Sequence, residues 1–195
     1  NELISYIHQE NEYVDFDKDR LLFHMSSSEG SCICTGDLNN DGNDDIYIGG
    51  SSGYPGEIYL YYEGKFIKKI IDILNIDKDS EDTDCLIFDA NGDDINDLYV
   101  ASGGNEFSVY SPELRDRLYY NDNLEFTKSN QILPGGNFSS SSVVIKNDFD
   151  SDGDYDLFVG SRLVPQKYGL PASSYILRND GDGNFLNISD SVAPG

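Results

Sequence analysis

DFDSDGDYDLFVG, residues 148–160, sets an aspartate at every second position from Asp148 to Asp156 and then turns apolar at once. Carboxylates at this density repel one another strongly unless something neutralises them. The apolar tail reads as a buried strand, so the repulsion is built against the edge of a folded core. Two near-copies lie upstream, GDLNNDGNDDIYIG at 36–49 and FDANGDDINDLYVA at 88–101.

The likeness between the copies extends beyond the acidic run. A short apolar strand precedes each loop: CICT at 32–35, CLIF at 85–88 and SVVIK at 142–146. A second strand follows each: DIYIGG, DLYVASGG and DLFVGS. After a connection of variable length comes a hairpin: IYLYYEGKFIKKI, RLYYNDNLEFTKS and YILRNDGDGNFLNIS. The hairpin turns are rich in the Gly, Asn and Asp that accept positive φ. Four antiparallel strands recurring every 50 to 60 residues or so are the signature of a propeller blade. The expected fold is therefore all-β: three four-stranded antiparallel blades forming an incomplete propeller. The expected segments are 1–31, leading into or closing the propeller, then blades at 32–83, 84–139 and 140–195. A β-sandwich would leave the same loop at the same point of every unit unexplained. Helical pattern is confined to Lys68–Leu74 and the stretch Pro112–Arg117.

The loop spacing names a ligand. Side-chain oxygens recur at positions 1, 3, 5 and 9, a residue suited to a sharp turn stands at 6, and position 7 would offer its backbone carbonyl. Hard oxygens converging from a tight loop suit Ca²⁺, which accepts six to eight of them; Mg²⁺ prefers to keep its waters. Loop one offers Asp37, Asn39, Asp41, Asn43 and Asp45; loop two Asp89, Asn91, Asp93, Ile95 and Asp97; loop three Asp148, Asp150, Asp152, Asp154 and Asp156. Three Ca²⁺ sites are expected, the third tightest because it holds the most carboxylates. The second is expected to be weakest, since Asp94 stands where the others have Gly42 and Gly153. An EF-hand would need a bidentate Glu at position 12, where this chain has Ile48, Val100 and Val159. A metal-free Asx turn is the plainer reading of one such loop, but it does not account for three copies with matching positions.

The strand–DxDxDGxxD–strand unit resembles the FG-GAP/VCBS repeats of integrin-α-like propellers. VDFDKDRLLFHMSSSEG, IYIGGSSGYPGEIYL, LYVASGGNE, RLYYND and LFVGSRLVPQKYGLPASSYILRNDGDGNF are similar to the VCBS-repeat proteins that accompany ASPIC/UnbV modules, including the cartilage acidic proteins. The resemblance runs from about Glu12 to the end of the chain. It implies a calcium-bearing propeller with its ions in the loops between the first two strands of each blade, and a further blade after SVAPG.

Of 195 residues, 36 are acidic and 13 basic, a formal charge of −23. Such a surface repels phosphate backbones, so a nucleic-acid partner is not expected. No stretch approaches the roughly 20 apolar residues of a membrane span. Asn1 follows no initiator Met or signal-like segment, so a processed, trimmed or partial chain is expected. Cys32 and Cys34 share one face of a strand and cannot easily bond each other; small buried hydrophobes, or a bridge from either to Cys85, are the alternatives.

No catalytic set stands out. His24 precedes a serine run in LLFHMSSS, yet the G-x-S-x-G elbow is missing. The expected function is a non-enzymatic calcium-binding module of an exported or cell-surface protein, extracellular or periplasmic, where free Ca²⁺ suffices. It would bind a protein or glycan through Ser102–Arg115 and Ser161–Ser173, which carry Tyr110, Arg162 and Tyr168. The alternatives are a structural subunit of a larger surface complex, its open edges paired to neighbouring blades or subunits, and a fragment of a propeller enzyme with its active site elsewhere. Sequons at Asn137 and Asn187 bear on glycosylation only in a eukaryotic secretory pathway.

Overall fold

The computed structural model describes residues 4–28, 30–134 and 139–193; the sequon at Asn137 lies outside them. Among the described residues, twelve strands pair into three four-stranded antiparallel sheets, each in simple sequence order. The first comprises β1 (Ile33–Gly36), β2 (Asp45–Ile48), β3 (Glu57–Tyr62) and β4 (Lys65–Lys69). The second comprises β5 (Asp82–Phe88), β6 (Asp97–Ser102), β7 (Arg117–Asp122) and β8 (Glu125–Lys128). The third comprises β9 (Ser140–Asn147), β10 (Asp156–Leu163), β11 (Tyr175–Asn179) and β12 (Phe185–Asn187). These are blade-like sheets, and they close no barrel. No helix among the described residues is long and apolar enough to cross a membrane.

Helix is scarcer than the sequence suggested. Lys68 and Lys69 end β4, and α1 covers only Asp72–Ile76; Pro112–Leu114 makes a single 3₁₀ turn. FIKK has no period-two alternation; its pairing with β3, with Lys68 opposite Tyr59, makes it a strand. A second short helix, α2 (Ser189–Val192), follows β12.

Register makes the three sheets equivalent row by row. Cys34–Tyr47–Ile58, Leu86–Tyr99–Leu118 and Ile145–Phe158–Ile176 are the same cross-strand row in successive sheets. The first row packs into a core with Cys85, Ile87, Leu98, Val100 and Tyr119 of the second sheet. The second row packs into a core with Val144, Leu157, Val159, Tyr175 and Leu177 of the third. Both faces of the middle sheet are thus covered, and all six residues of β6 are buried. Gly36 lets the first two sheets approach, because a Cβ there would sit 2.4 Å from Ile87 Cγ2. Among the described residues no sheet lies beyond the third row: Ile145 is 54% exposed and Phe158 40%, while Tyr47 and Tyr99 are fully buried.

Carboxylates are buried at the end of the sheets away from the acidic loops. Asp82 pairs with buried Arg117 and accepts the Tyr47 hydroxyl at 2.6 Å and the Gly50 amide at 2.8 Å. Asp116 accepts the Tyr99 hydroxyl at 2.8 Å and the Ser102 amide at 2.9 Å; burial pushes it up to about 6. Glu81 accepts the Ser52 amide at 2.8 Å and is pushed up to about 9, chiefly by burial, with the charges of Glu106 and Glu10 adding to it. Groups raised in this way take up protons on folding. Their stabilisation is fully present below their unfolded values and is lost as pH rises through about 6 for Asp116 and about 9 for Glu81. Metal-free protein should therefore have a higher urea midpoint at pH 6 than at pH 9, and Glu81→Gln should shrink the difference. An unchanged midpoint in the parent protein across that range contradicts this assignment.

Candidate metal centre

Each acidic loop joins the first two strands of a sheet, so all three loops lie at the same end as the β3–β4-type hairpin turns. Their chain path is set by two left-handed positions. Position 4 is Asn40, Gly92 or Ser151, and position 6 is Gly42, Asp94 or Gly153, all at positive φ. Asp94 at φ 64° takes the turn that glycine takes in the other two loops.

The wiring repeats. The position-1 carboxylate faces into the loop and accepts backbone amides from positions 5 and 6: Asp37 from Asp41 and Gly42, Asp89 from Asp93 and Asp94, Asp148 from Asp152 and Gly153. The position-5 carboxylate accepts the position-7 amide: Asp41 from Asn43, Asp93 from Ile95, Asp152 from Asp154. Asn39 and Asn91 accept the amides of Asp41 and Asp93. Each such carboxylate oxygen has lone pairs beyond those taken by N–H donors, so this wiring aims the oxygens without exhausting them.

Position 9 has a second role that the spacing did not reveal. Asp45, Asp97 and Asp156 are buried, and each spans two chain segments. One oxygen accepts the amide of loop position 2: Leu38 at 3.0 Å, Ala90 at 3.0 Å, Phe149 at 3.2 Å. The other accepts an amide of the third strand: Tyr61 at 2.8 Å, Asn121 at 2.8 Å, Asn179 at 2.9 Å. Burial raises Asp97 to about 6 and raises Asp45 as well.

Two further residues complete the arrangement. Asn121 Nδ2 donates to Leu38 O in the first sheet's loop at 2.8 Å and to Asn96 O at 2.9 Å. Asn179 Nδ2 does the same to Ala90 O in the second sheet's loop at 2.8 Å and to Tyr155 O at 3.3 Å. Each sheet thus clamps the acidic loop of the one before it. The signal was present in YYND and LRND, which read at first as turn residues. The first sheet has Tyr61 at this place, and its amide donates to Asp45.

The third loop brings metal-ligating atoms together. One oxygen from each of Asp148, Asp150 and Asp156 lies within 4.8 Å of the others, so these residues form a group able to hold a metal ion. No other group of three carboxylate, thiol or imidazole ligands meets that distance among the described residues. The first two loops have Asn39 and Asn91 at position 3, where the third has Asp150. Desolvation and the charges of Asp152 and Asp156 raise Asp150; desolvation first, then Asp152, Asp148, Asp156 and Asp180, raise Asp154. A cation relieves this crowding, and an all-oxygen donor set suits a hard divalent ion.

At the opposite end, residues 4–28 run across the β2–β3-type connections. Ser51 Oγ donates to Gln9 O at 2.5 Å, Tyr13 to Asn105 O at 3.4 Å, and the Tyr168 amide to Asp19 at 2.9 Å. The serine run is tied to Asp15, which accepts Ser26 N, Ser27 N and Ser27 Oγ, while His24 bonds Arg162. A cleft of about 400 Å³ opens here, lined by Phe23, Asn105, Leu163, Lys167, Tyr168 and Leu170 among others. Asn105 is 1% exposed, and its Nδ2 has no partner. Tyr110 is largely exposed.

No protein-family model matches this chain, and no curated protein matches it either.

Asn179→Ala removes a buried clamp and strands two carbonyls, so it should cost about 2–3 kcal/mol. Replacing exposed Asn75 of α1 with Ala is the control expected to cost far less. Urea unfolding of both variants checks the clamp, and equal effects would show that Asn179 is an ordinary strand-end residue.

Proposed function

We propose that the chain is a non-enzymatic calcium-bearing segment of an FG-GAP/VCBS-type propeller, carried by an exported or cell-surface protein. The observation that supports this most is the convergence of Asp148, Asp150 and Asp156 within a loop whose wiring recurs twice more. Ca²⁺ would be held by the carboxylates of positions 1, 3, 5 and 9, with Asn39 and Asn91 at position 3 of the first two loops. The ion would supply charge neutralisation and a rigid link between each loop and its sheet. Sites working near 10⁻³ M suit extracellular or periplasmic surroundings. A protein or glycan is the partner of this reading, met at the β2–β3 end, where the cleft beside Tyr168 offers apolar surface and the Asn105 amide.

Binding to the folded state stabilises by about 2.7 kcal/mol per site at a hundredfold excess over Kd. Chelator should therefore lower the melting temperature by several degrees, and millimolar Ca²⁺ should restore it. Calorimetric titration should find the third loop tightest. In Ca²⁺, Asp152→Ala should lose more thermal stability than Asp93→Ala. A melting temperature indifferent to chelator sinks the calcium reading.

One observation favours the structural-subunit alternative as well: the row of exposed Ile145 and Phe158 and half-buried Ile176 is the face that the first two sheets bury against a neighbour. Sedimentation at micromolar concentration distinguishes the two. Association abolished by Phe158→Ser supports the subunit, and a monomer unaffected by it supports the module.

A further inference from the structure

Three thiols meet at the seam between the first two sheets, apart from the acidic loops and unused by them. Cys34 lies on β1 opposite Tyr47, and Cys32 extends the same ladder, its carbonyl accepting Gly49 N at 2.9 Å. Two positions apart on one strand, their side chains share the face turned toward the second sheet. Cys85 lies on β5, opposite Val100, and reaches into that face. Cys85 packs in one core with Cys32, 3% and 9% exposed, and Cys34 packs against that core. All three are thiols in this structure.

We propose that Cys85 is the bridging thiol of a disulfide between the first two sheets, formed with Cys32 when the chain folds in the presence of a low-molecular-weight disulfide, leaving Cys34 free. Cys32 is the partner because it shares the sealed core with Cys85, whereas Cys34 sits at the edge. A Cys32–Cys34 bond is excluded by the geometry of a strand. The step is two thiol–disulfide exchanges. One protein thiolate attacks the reagent disulfide, releasing one reagent thiol and forming a mixed disulfide. The second protein thiolate attacks the protein sulfur of that mixed disulfide and releases the other reagent thiol. The protein loses two protons and two electrons, and the reagent takes them up. In the folded state, contact with Cys85 together with burial holds Cys32 protonated. Cys85 is raised too, the contact with Cys32 working against contact with Cys34 and burial. The bond therefore forms during folding, before the sheets close over it. It closes a loop that contains the whole first sheet and α1, a long loop of the kind whose closure most restricts the unfolded chain.

The test is refolding from denaturant in a glutathione redox buffer, followed by alkylation in denaturant without reduction and mapping by mass spectrometry. The expected product is two hydrogens lighter than reduced protein, alkylated once, at Cys34, with a Cys32–Cys85 linked peptide. Its melting temperature should exceed that of the reduced form by on the order of 10 °C. Cys34→Ser, changed at the core margin, should still bridge; Cys85→Ser should be alkylated at both remaining cysteines. Three alkylated thiols in folded parent protein, or a bridge that omits either Cys32 or Cys85, overturns the proposal.

Discussion

A carboxylate buried at the ninth position of every acidic loop is the constraint on which this architecture turns. Asp45, Asp97 and Asp156 are removed from water, and a buried charge without donors is costly. Each is satisfied by one amide of its own loop and one amide of the third strand, so loop and sheet cannot move apart without stranding it. The residue that gives the third-strand amide in the second and third sheets is an asparagine, and its side chain reaches on to the preceding loop. One residue thus joins the local fold of a sheet to the stacking of sheets. Hydrogen bonds between the first two loops reinforce it, from Asn96 Nδ2 to Asp37 O and from Asn40 Nδ2 to Asp94 O.

This arrangement makes the acidic end rigid in backbone while leaving it crowded in charge. Asp41 is lowered by bonds from Asn43, whereas Asp150 and Asp154 in the third loop are raised. The loops therefore differ in how much a cation would relieve, despite nearly identical backbones. The difference comes from asparagine or aspartate at position 3 and from the neighbouring Asp180 turn beside the third loop. At the other end of the sheets the connections are long, and residues 4–28 bind them together. There buried Asp82 and Asp116 hold the amides of Gly50 and Ser102 where two of these connections begin, and the rest of each connection lies on the surface, where length can vary.

The sheets are also unequal in their surroundings, and position in the arc is the reason. The centre of the row is fully buried in the first two sheets, at Tyr47 and Tyr99, and exposed in the third, at Phe158, because among the described residues only the first two sheets have a following neighbour. Likewise Tyr61 stands in the first sheet where Asn121 and Asn179 stand in the others, giving Asp45 its backbone amide and no side-chain amide to a neighbouring loop.

Much of this was legible in the chain itself. Alternation of period two, turn residues and a unit repeating three times specified the strands, their order and the antiparallel pairing, because those are local and periodic properties. The aspartate spacing identified the loops and their inward-facing carboxylates for the same reason. The sequence did not reveal which oxygens come within reach of one another: among the described residues only Asp148, Asp150 and Asp156 form a carboxylate group of that kind, a matter of side-chain directions within ångströms. Nor did it reveal the asparagine clamps, whose partners lie 83 and 89 residues away, or that FIKK belongs to a strand, which its pairing with β3 decides. Periodicity fixes what a segment is, but contacts between sheets are set by packing, and packing exists only once the sheets have come together.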